Sequence, residues 1–203
     1  MPPPFRPEPV VLTGDHVVLT PLALTHASDL AQAGRDDDTW LYMPRPALRS
    51  VEDAESMIRQ ALAESAPGHE IAFAIVDKAS GTAAGSTRYL TIEREHRSIE
   101  IGWTWIGPAW RRTPVNTECK LLLLRHAFEA LKAHRVTFKT DARNLRSQRA
   151  IERIGGVREG VLRWHRICWD GSLRDSVYYG IIAPEWPDVR RRLEQMLNGD
   201  TPR

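Results

Sequence analysis

The chain has 203 residues, of which 42% are hydrophobic and 27% are charged, and this composition is enough for one domain with a sizeable core. The formal net charge of +2 is too small to indicate a nucleic acid as primary ligand, because the arginines are scattered along the chain. Any electrostatic function is therefore local.

Cysteine usage and hydropathy restrict the class of protein further. Cys119 and Cys168 lack the spacing of a metal site or a disulfide framework, so we expect free thiols in a reducing compartment. No apolar run reaches the roughly 18 residues that span a bilayer, and the start, MPPPFRPEPV, lacks a signal core and a cleavage site. We therefore expect a cytoplasmic protein without a membrane partner, with a single domain at 10–197 and mobile tails at 1–9 and 198–203.

Periodicity and turn residues predict the elements of the first half. They are a strand at 16–22, helices at 25–33 and 50–66, and strands at 71–77, 82–92 and 98–106. Ser50 and Asp53 mark the start of the second helix, and Pro67 and Gly68 end it. In the strand at 98–106 apolar residues alternate with polar ones, which predicts one apolar face. The alternating residues are Ile99, Ile101, Trp103 and Trp105.

An Arg-rich turn that runs into a long apolar helix is the most informative stretch. Thr113 can cap this helix, and Pro114 suits its first position because its φ is already helical. Free backbone N–H groups and the positive end of the helix dipole, together with Arg111 and Arg112, can hold a phosphate or pyrophosphate. The sequence therefore predicts a polyanionic ligand at residues 111–117, although an ordinary solvated helix start has the same composition.

The second half continues the same unit. RVTFKTDARN predicts a strand with Val136, Phe138 and Thr140 on one face, and the next stretch predicts a helix that Asn144 caps and that two glycines, 155 and 156, end. Two further strands, at 157–164 and 172–182, flank a turn at Asp170 and Gly171. The order is strand, anion-binding turn, helix, strand, helix and a closing hairpin.

Three segments in register carry a family resemblance. EIGWTWIGPAWRR at 100–112, NTECKLLLLRHAFE at 116–129 and NLRSQRAIERIGGVREGVLR at 144–163 resemble the GNAT superfamily of acyl-CoA-dependent N-acyltransferases. Within this superfamily, the chain is similar to the RimJ/RimL type of ribosomal-protein N-terminal acetyltransferases. The closing segment, DSVYYGIIAPEW at 175–186, also resembles the last strand of that group. The resemblance implies an α+β fold with a mixed, mostly antiparallel sheet, splayed between its fourth and fifth strands and covered by helices on both faces. It also implies that the pantetheine arm of acetyl-CoA enters the splayed gap.

One departure from the family concerns its pyrophosphate loop. The usual loop reads Gln or Arg, two residues, Gly, one residue, and Gly or Ala, whereas this chain has Arg111, Pro114 and Asn116 at those positions. Pro114 cannot donate a hydrogen bond, and Asn116 adds a side chain where backbone normally approaches the phosphate. The Asn116 amide can donate to a phosphate oxygen in compensation.

Direct acyl transfer needs a proton acceptor for the amine and stabilisation of the oxyanion and the thiolate. Glu100 is the best-placed glutamate to accept the proton, although strand glutamates usually face solvent. By resemblance, Ser147 protonates the CoA thiolate, Asn144 binds the pantetheine arm, and the N–H of Trp103 or Thr104 meets the acetyl carbonyl. Ser147 could instead be an ordinary helix-start hydroxyl. The predicted cofactor-binding residues are Trp103, Thr104, Trp105, Arg111, Arg112, Thr113, Val115, Asn116, Thr117 and Asn144.

Three functions stay open at this stage. The first is transfer of acetyl from acetyl-CoA to a primary amine, best an N-terminal α-amine, with acetyl-CoA as co-substrate and no metal, since no histidine spacing suits one. The others are acetylation of a small-molecule amine and non-catalytic CoA binding. His96 is an alternative base, and a homodimer is a possible assembly. Residues expected beside the acceptor are Tyr42, Arg45, Arg49, Arg163, Trp164 and His165.

Overall fold

The computed structural model describes residues 5–199, in which eight strands form one sheet. The strands are β1 (Leu12–Thr13), β2 (Val17–Pro21), β3 (Ile71–Asp77), β4 (Ala83–Glu93), β5 (Ser98–Ile106), β6 (Arg135–Asp141), β7 (Val157–Ile167) and β8 (Leu173–Ile182). The sheet order is β1-β2-β3-β4-β5-β6-β8-β7, and every neighbouring pair is antiparallel except β5 and β6. The predicted α+β fold with a mixed, mostly antiparallel sheet is confirmed.

Within this described range, six α-helices accompany the sheet. They are α1 (Ala27–Ala33), α2 (Asp37–Trp40), α3 (Val51–Ser65), α4 (Pro114–Arg125), α5 (Leu145–Arg153) and α6 (Trp186–Asn198). A π-helical turn, His126–Ala130, extends α4. Ser50 and Asp53 form the capping box of α3, as their spacing predicts. The short elements β1 and α2, and the last helix α6, are not among the predicted elements.

Period-two alternation in the strands divides the core between the two faces of the sheet. In β3, Ile71, Phe73 and Ile75 pack in the cluster that contains α4 and α6, whereas Ala72 and Ala74 pack against α1 and α3. Small residues on the second face let α1 and α3 approach the strands closely. Helices on both faces are therefore confirmed.

The sheet opens between β5 and β6. The two strands pair in parallel at only three positions, from Ser98 with Arg135 to Glu100 with Thr137. Beyond Glu100, β5 continues to Ile106 without a β6 partner, so a gap forms between the strands. Counted from β2, the first predicted strand, these are the fourth and fifth strands, and the expected splay is confirmed.

A β-bulge corrects the predicted alternation of β5. Gly102 pairs with Arg88 and Trp105 pairs with Ser86, so Trp103 and Thr104 both oppose Thr87. Trp103 has a φ of 49°, the left-handed conformation that tryptophan rarely adopts. As a result, Ile99 and Ile101 face α4 while Trp105 belongs to the opposite core, and the single apolar face predicted for this strand is wrong.

A buried carboxylate ties the start of β2 to α4. Glu118 accepts hydrogen bonds from the backbone N–H groups of Asp15 at 2.8 Å, His16 at 2.6 Å and Val17 at 2.7 Å. A Cβ at Gly14 would lie 2.4 Å from the Glu118 carboxylate carbon, so only glycine permits this approach. Glu118 therefore closes a contact between segments about a hundred residues apart.

The structure describes part of each predicted tail but does not test whether the tails are mobile. Phe5 is buried, and the Arg97 guanidinium lies 5.5 Å from the centroid of its ring. Asn198 is the last residue of α6, and residues 1–4 and 200–203 lie outside the described part of the chain. The mobile tails and the domain limits stay predictions. Within residues 5–199, every helix is too short or too polar to cross a bilayer.

Candidate active site

The predicted start of the long helix is confirmed, since α4 begins at Pro114 with Thr113 as its N-cap. The Thr113 hydroxyl accepts a 3.4 Å bond from the Val115 N–H and donates to the Trp110 carbonyl at 2.7 Å. The N–H of Asn116 points out of the first turn without an intrahelical acceptor, as helix geometry requires. The Val115 side chain is buried in the core, so this residue can offer only its backbone to a ligand.

The two arginines before α4 have different surroundings. Arg111 donates to Asp36 at 2.6 Å and to Thr39 at 2.5 Å, which ties the turn to α2. Arg112 is exposed and has a φ of 62°, so the backbone turns sharply at this residue. An anion at the start of α4 would therefore meet Arg112 directly and would share Arg111 with Asp36. Sequence reasoning did not find this competition.

We expect the double variant Arg111→Glu with Arg112→Glu to bind CoA at least tenfold more weakly, about 1.4 kcal/mol, because two cations become anions beside the helix start. Isothermal titration calorimetry with CoA measures this change. Arg59→Glu, on the exposed surface of α3, is the control and should bind as the wild type does. Wild-type affinity in the folded double variant would remove the pyrophosphate from this turn.

The helices α4 and α5 flank the same side of the gap. The Arg153 guanidinium at the end of α5 donates to Thr117 of α4 at 3.1 Å. Asn144 caps α5 by accepting the Ser147 N–H at 3.0 Å, as predicted. The Ser147 hydroxyl is half-buried and has no hydrogen-bonding partner within residues 5–199. It is free to donate to a ligand between the helices.

Glu100 is the last residue of β5 that pairs with β6, and it lies on the sheet face opposite α4. Its neighbours in sequence, Ile99 and Ile101, pack on the α4 side, so the Glu100 side chain points away from that helix. Its Oε2 accepts a 3.0 Å bond from Lys139 of β6, across the mouth of the gap. Its Oε1 is buried and unpaired among the described residues. A buried carboxylate oxygen without a partner is a rare feature in folded proteins.

A row of polar side chains extends from Glu100 across the open face of the sheet. Lys139 is in register with Tyr178 of β8, whose hydroxyl lies 3.4 Å from Nε2 of His165 on β7. The other ring nitrogen of His165 bonds Ser176 at 3.0 Å. Burial lowers the pKa of His165, and the charges of nearby Arg and Lys side chains lower it further. The row Glu100–Lys139–Tyr178–His165 thus crosses four strands.

The two predicted tryptophans of β5 have different surroundings. Trp103 stacks under the Arg88 guanidinium, which lies 4.4 Å from the ring centroid. Trp105 is buried and packs on Trp40, with the two ring centroids 4.8 Å apart, so only the backbone of Trp105 borders the gap. His96 is exposed in the turn before β5, at the end of the strand away from the gap.

Three residues of the site escaped sequence reasoning, namely Lys120, Lys139 and Tyr178. Lys120 looks like one polar position in a leucine-rich helix, yet it is 7% exposed. Lys139 and Tyr178 alternate with the apolar residues of β6 and β8. That alternation assigns both residues to the open face, and it is the only signal that could have found them.

The chain is similar in sequence to known proteins. Residues 16–157 match the family described as the acetyltransferase (GNAT) domain. The chain is 30% identical over 106 residues to the protein named "Putative ribosomal N-acetyltransferase YdaF" of Bacillus subtilis. That match covers 52% of this chain and 57% of YdaF, so the chain aligns with little more than half of that relative.

Solved structures extend the comparison over nearly the whole chain. A GCN5-related N-acetyltransferase from Brucella melitensis superposes with a TM-score of 0.90 at 28% identity, covering 96% of this chain and 88% of that one. The Microcin C7 self immunity acetyltransferase MccE, solved with acetyl-CoA and AMP, shares the fold at 21% identity, with a TM-score of 0.73 over 83% of this chain and 93% of its own. The family match over residues 16–157 shows that the chain belongs to the GNAT family, and together with the likeness to the Brucella melitensis structure it shows that the chain is an N-acetyltransferase.

Proposed function

We propose that this protein transfers an acetyl group from acetyl-CoA directly to the α-amine of a protein or peptide N-terminus. The observation that carries the proposal is the Oε1 of Glu100, which is buried where β5 and β6 separate and has no hydrogen-bonding partner among residues 5–199. An acceptor amine, or a water bound to it, supplies the partner that this oxygen lacks. Lys139 holds the other carboxylate oxygen and fixes the orientation of the group.

The residues present fit acetyl-CoA. The start of α4 offers the Asn116 N–H and the exposed Arg112 to a pyrophosphate, in spite of Pro114. The gap between β5 and β6 exposes unpaired backbone of β5 to the pantetheine arm, and Asn144 with Ser147 borders it from α5. Cofactor and acceptor would then meet from opposite faces of the sheet. Such a ternary complex needs no covalent enzyme intermediate.

Each residue has a separate task in the transfer. Acetyl-CoA supplies the activated acyl group. Glu100 accepts the proton that the amine loses, directly or through water, and the N–H of Trp103 or Thr104 donates to the carbonyl oxygen. Ser147 donates a proton towards the departing sulfur, so one proton enters at Glu100 as another leaves the serine hydroxyl. Solvent restores both groups.

Two features favour a peptide terminus over a small amine. The row from Glu100 to His165 crosses four strands, about 15 Å at the usual strand spacing. That dimension suits an extended chain. An α-amine also titrates near 8 and a lysine amine near 10.4, so a site with one weak base can more readily use the α-amine. YdaF carries a ribosomal N-acetyltransferase name, which agrees with this class of acceptor.

We expect a short peptide with a free N-terminus and a blocked lysine to turn over at least tenfold faster than the same peptide with a blocked N-terminus and a free lysine. At pH 7 a far larger fraction of the α-amine is neutral and able to attack. Release of the CoA thiol, with mass spectrometry of the peptide, measures the two rates.

Polyamines and aminoglycosides are the competing acceptors in the same assay. Equal peptide rates, or turnover confined to these amines, would favour a small-molecule acetyltransferase. Tight CoA binding without acetylation of any amine would favour the non-catalytic alternative.

A further inference from the structure

Lys120 of α4 carries a buried ammonium group. It is 7% exposed, and its Nζ donates a 2.6 Å hydrogen bond to the Thr104 hydroxyl on β5. The same nitrogen lies 5.9 Å from the centroid of the Phe138 ring on β6. Lys120 therefore contacts both strands that border the gap.

These contacts lie beyond the paired part of the two strands. Pairing ends at Glu100 and Thr137, whereas Thr104 and Phe138 follow those residues along each strand. Thr104 also belongs to the bulge of β5, where the backbone N–H groups leave the regular ladder. The ammonium thus reaches the open part of the gap from the α4 side, opposite Glu100.

The ammonium lacks a counter-charge in the described part of the chain. An ammonium has three donors, and Thr104 accepts one of them. Its neighbour Glu118 is occupied by the three backbone N–H groups at the start of β2. Burial lowers the pKa of Lys120, while the Cys119 thiol next to it acts in the opposite direction. Buried charges in proteins are normally paired, so the two unused donors indicate a polar ligand.

We infer that Lys120 donates a hydrogen bond to the acyl carbonyl oxygen of acetyl-CoA at the splayed gap, beside the backbone N–H groups of the bulge. The inference rests on the proposed use of acetyl-CoA and extends it with a side-chain donor. Negative charge grows on that oxygen as the amine attacks, so the ammonium stabilises the transition state more than the ground state. No proton leaves Lys120 in this step.

The test compares Lys120→Met with the wild type, because methionine has a similar length without the charge. Infrared difference spectra of bound acetyl-CoA, isotope-labelled at the acetyl carbonyl, report the hydrogen bond directly. The carbonyl stretch should lie at higher frequency in Lys120→Met than in the wild type. Acetyl-CoA should bind about tenfold more weakly to the variant, as loss of one charged hydrogen bond implies, while the affinity for CoA changes less than threefold.

Lys132→Met, at an exposed lysine, is the control and should leave the stretch and both affinities unchanged. A second measurement needs no substitution. As the pH rises through the lowered pKa of Lys120, the wild-type ammonium loses its proton, and the carbonyl stretch of bound acetyl-CoA should move to higher frequency. This measurement keeps the inference testable if Lys120→Met does not fold.

An unchanged stretch, or equal loss of affinity for CoA and acetyl-CoA, would overturn the inference. Acetylation of the peptide by the wild type is scored separately. Turnover with an unchanged stretch would leave the proposed function in place and remove the role of Lys120. A shifted stretch without acetylation of any amine would support the role of Lys120 and contradict the proposed function.

Discussion

Glu100→Gln should lower turnover of an N-terminal peptide about a hundredfold at pH 7, because an amide cannot accept the proton of the attacking amine. The loss should be greatest at low pH, where the acceptor is almost entirely ammonium. It should shrink as the pH passes about 8, where free α-amine becomes abundant. Initial rates of thiol release between pH 6 and about 9.5 measure this dependence.

Glu95→Gln is the matched control, because it removes the same charge from the exposed turn before β5. Its pH profile should coincide with that of the wild type. A uniform loss across the pH range in Glu100→Gln would assign Glu100 a role in binding or structure. A wild-type profile in that variant would exclude Glu100 as the base.

The second large effect is on stability. Glu118→Gln should lower the free energy of unfolding by about 3 kcal/mol, because its amide group places donors against the backbone donors of Asp15, His16 and Val17. Urea denaturation followed by circular dichroism measures the change. Glu55→Gln, on the exposed face of α3, should change it by less than about 0.5 kcal/mol. Equal midpoints for the two variants would contradict the structural role of Glu118.

Local signals explain which parts of the fold could be predicted. The caps Ser50, Thr113 and Asn144 act within a few residues of their own position, and each helix begins where its cap predicts. The alternation of β3 likewise reflects burial on the two faces of a single strand. These features needed no knowledge of the rest of the chain.

Long-range contacts explain what could not be predicted. The bulge at Trp103 depends on how β5 meets β4, and the pairing of Arg111 with Asp36 depends on α2, 75 residues away. Glu118 reads as an ordinary helical glutamate until the start of β2 is placed beside it. The partners of Glu100 and Lys120 lie on other elements, so the sequence indicated the first as a candidate and missed the second.

The bond between Glu118 and the start of β2 also has a consequence for synthesis on the ribosome. The N–H groups of residues 15–17 leave the ribosome long before their acceptor, which follows 101 to 103 residues later. At a synthesis rate of roughly 5–20 residues per second, Glu118 is added about 5–20 s after residues 15–17. We therefore expect the N-terminal segment to dock late, after α4 has formed, and nascent chains that stop before Glu118 to remain open to proteases there.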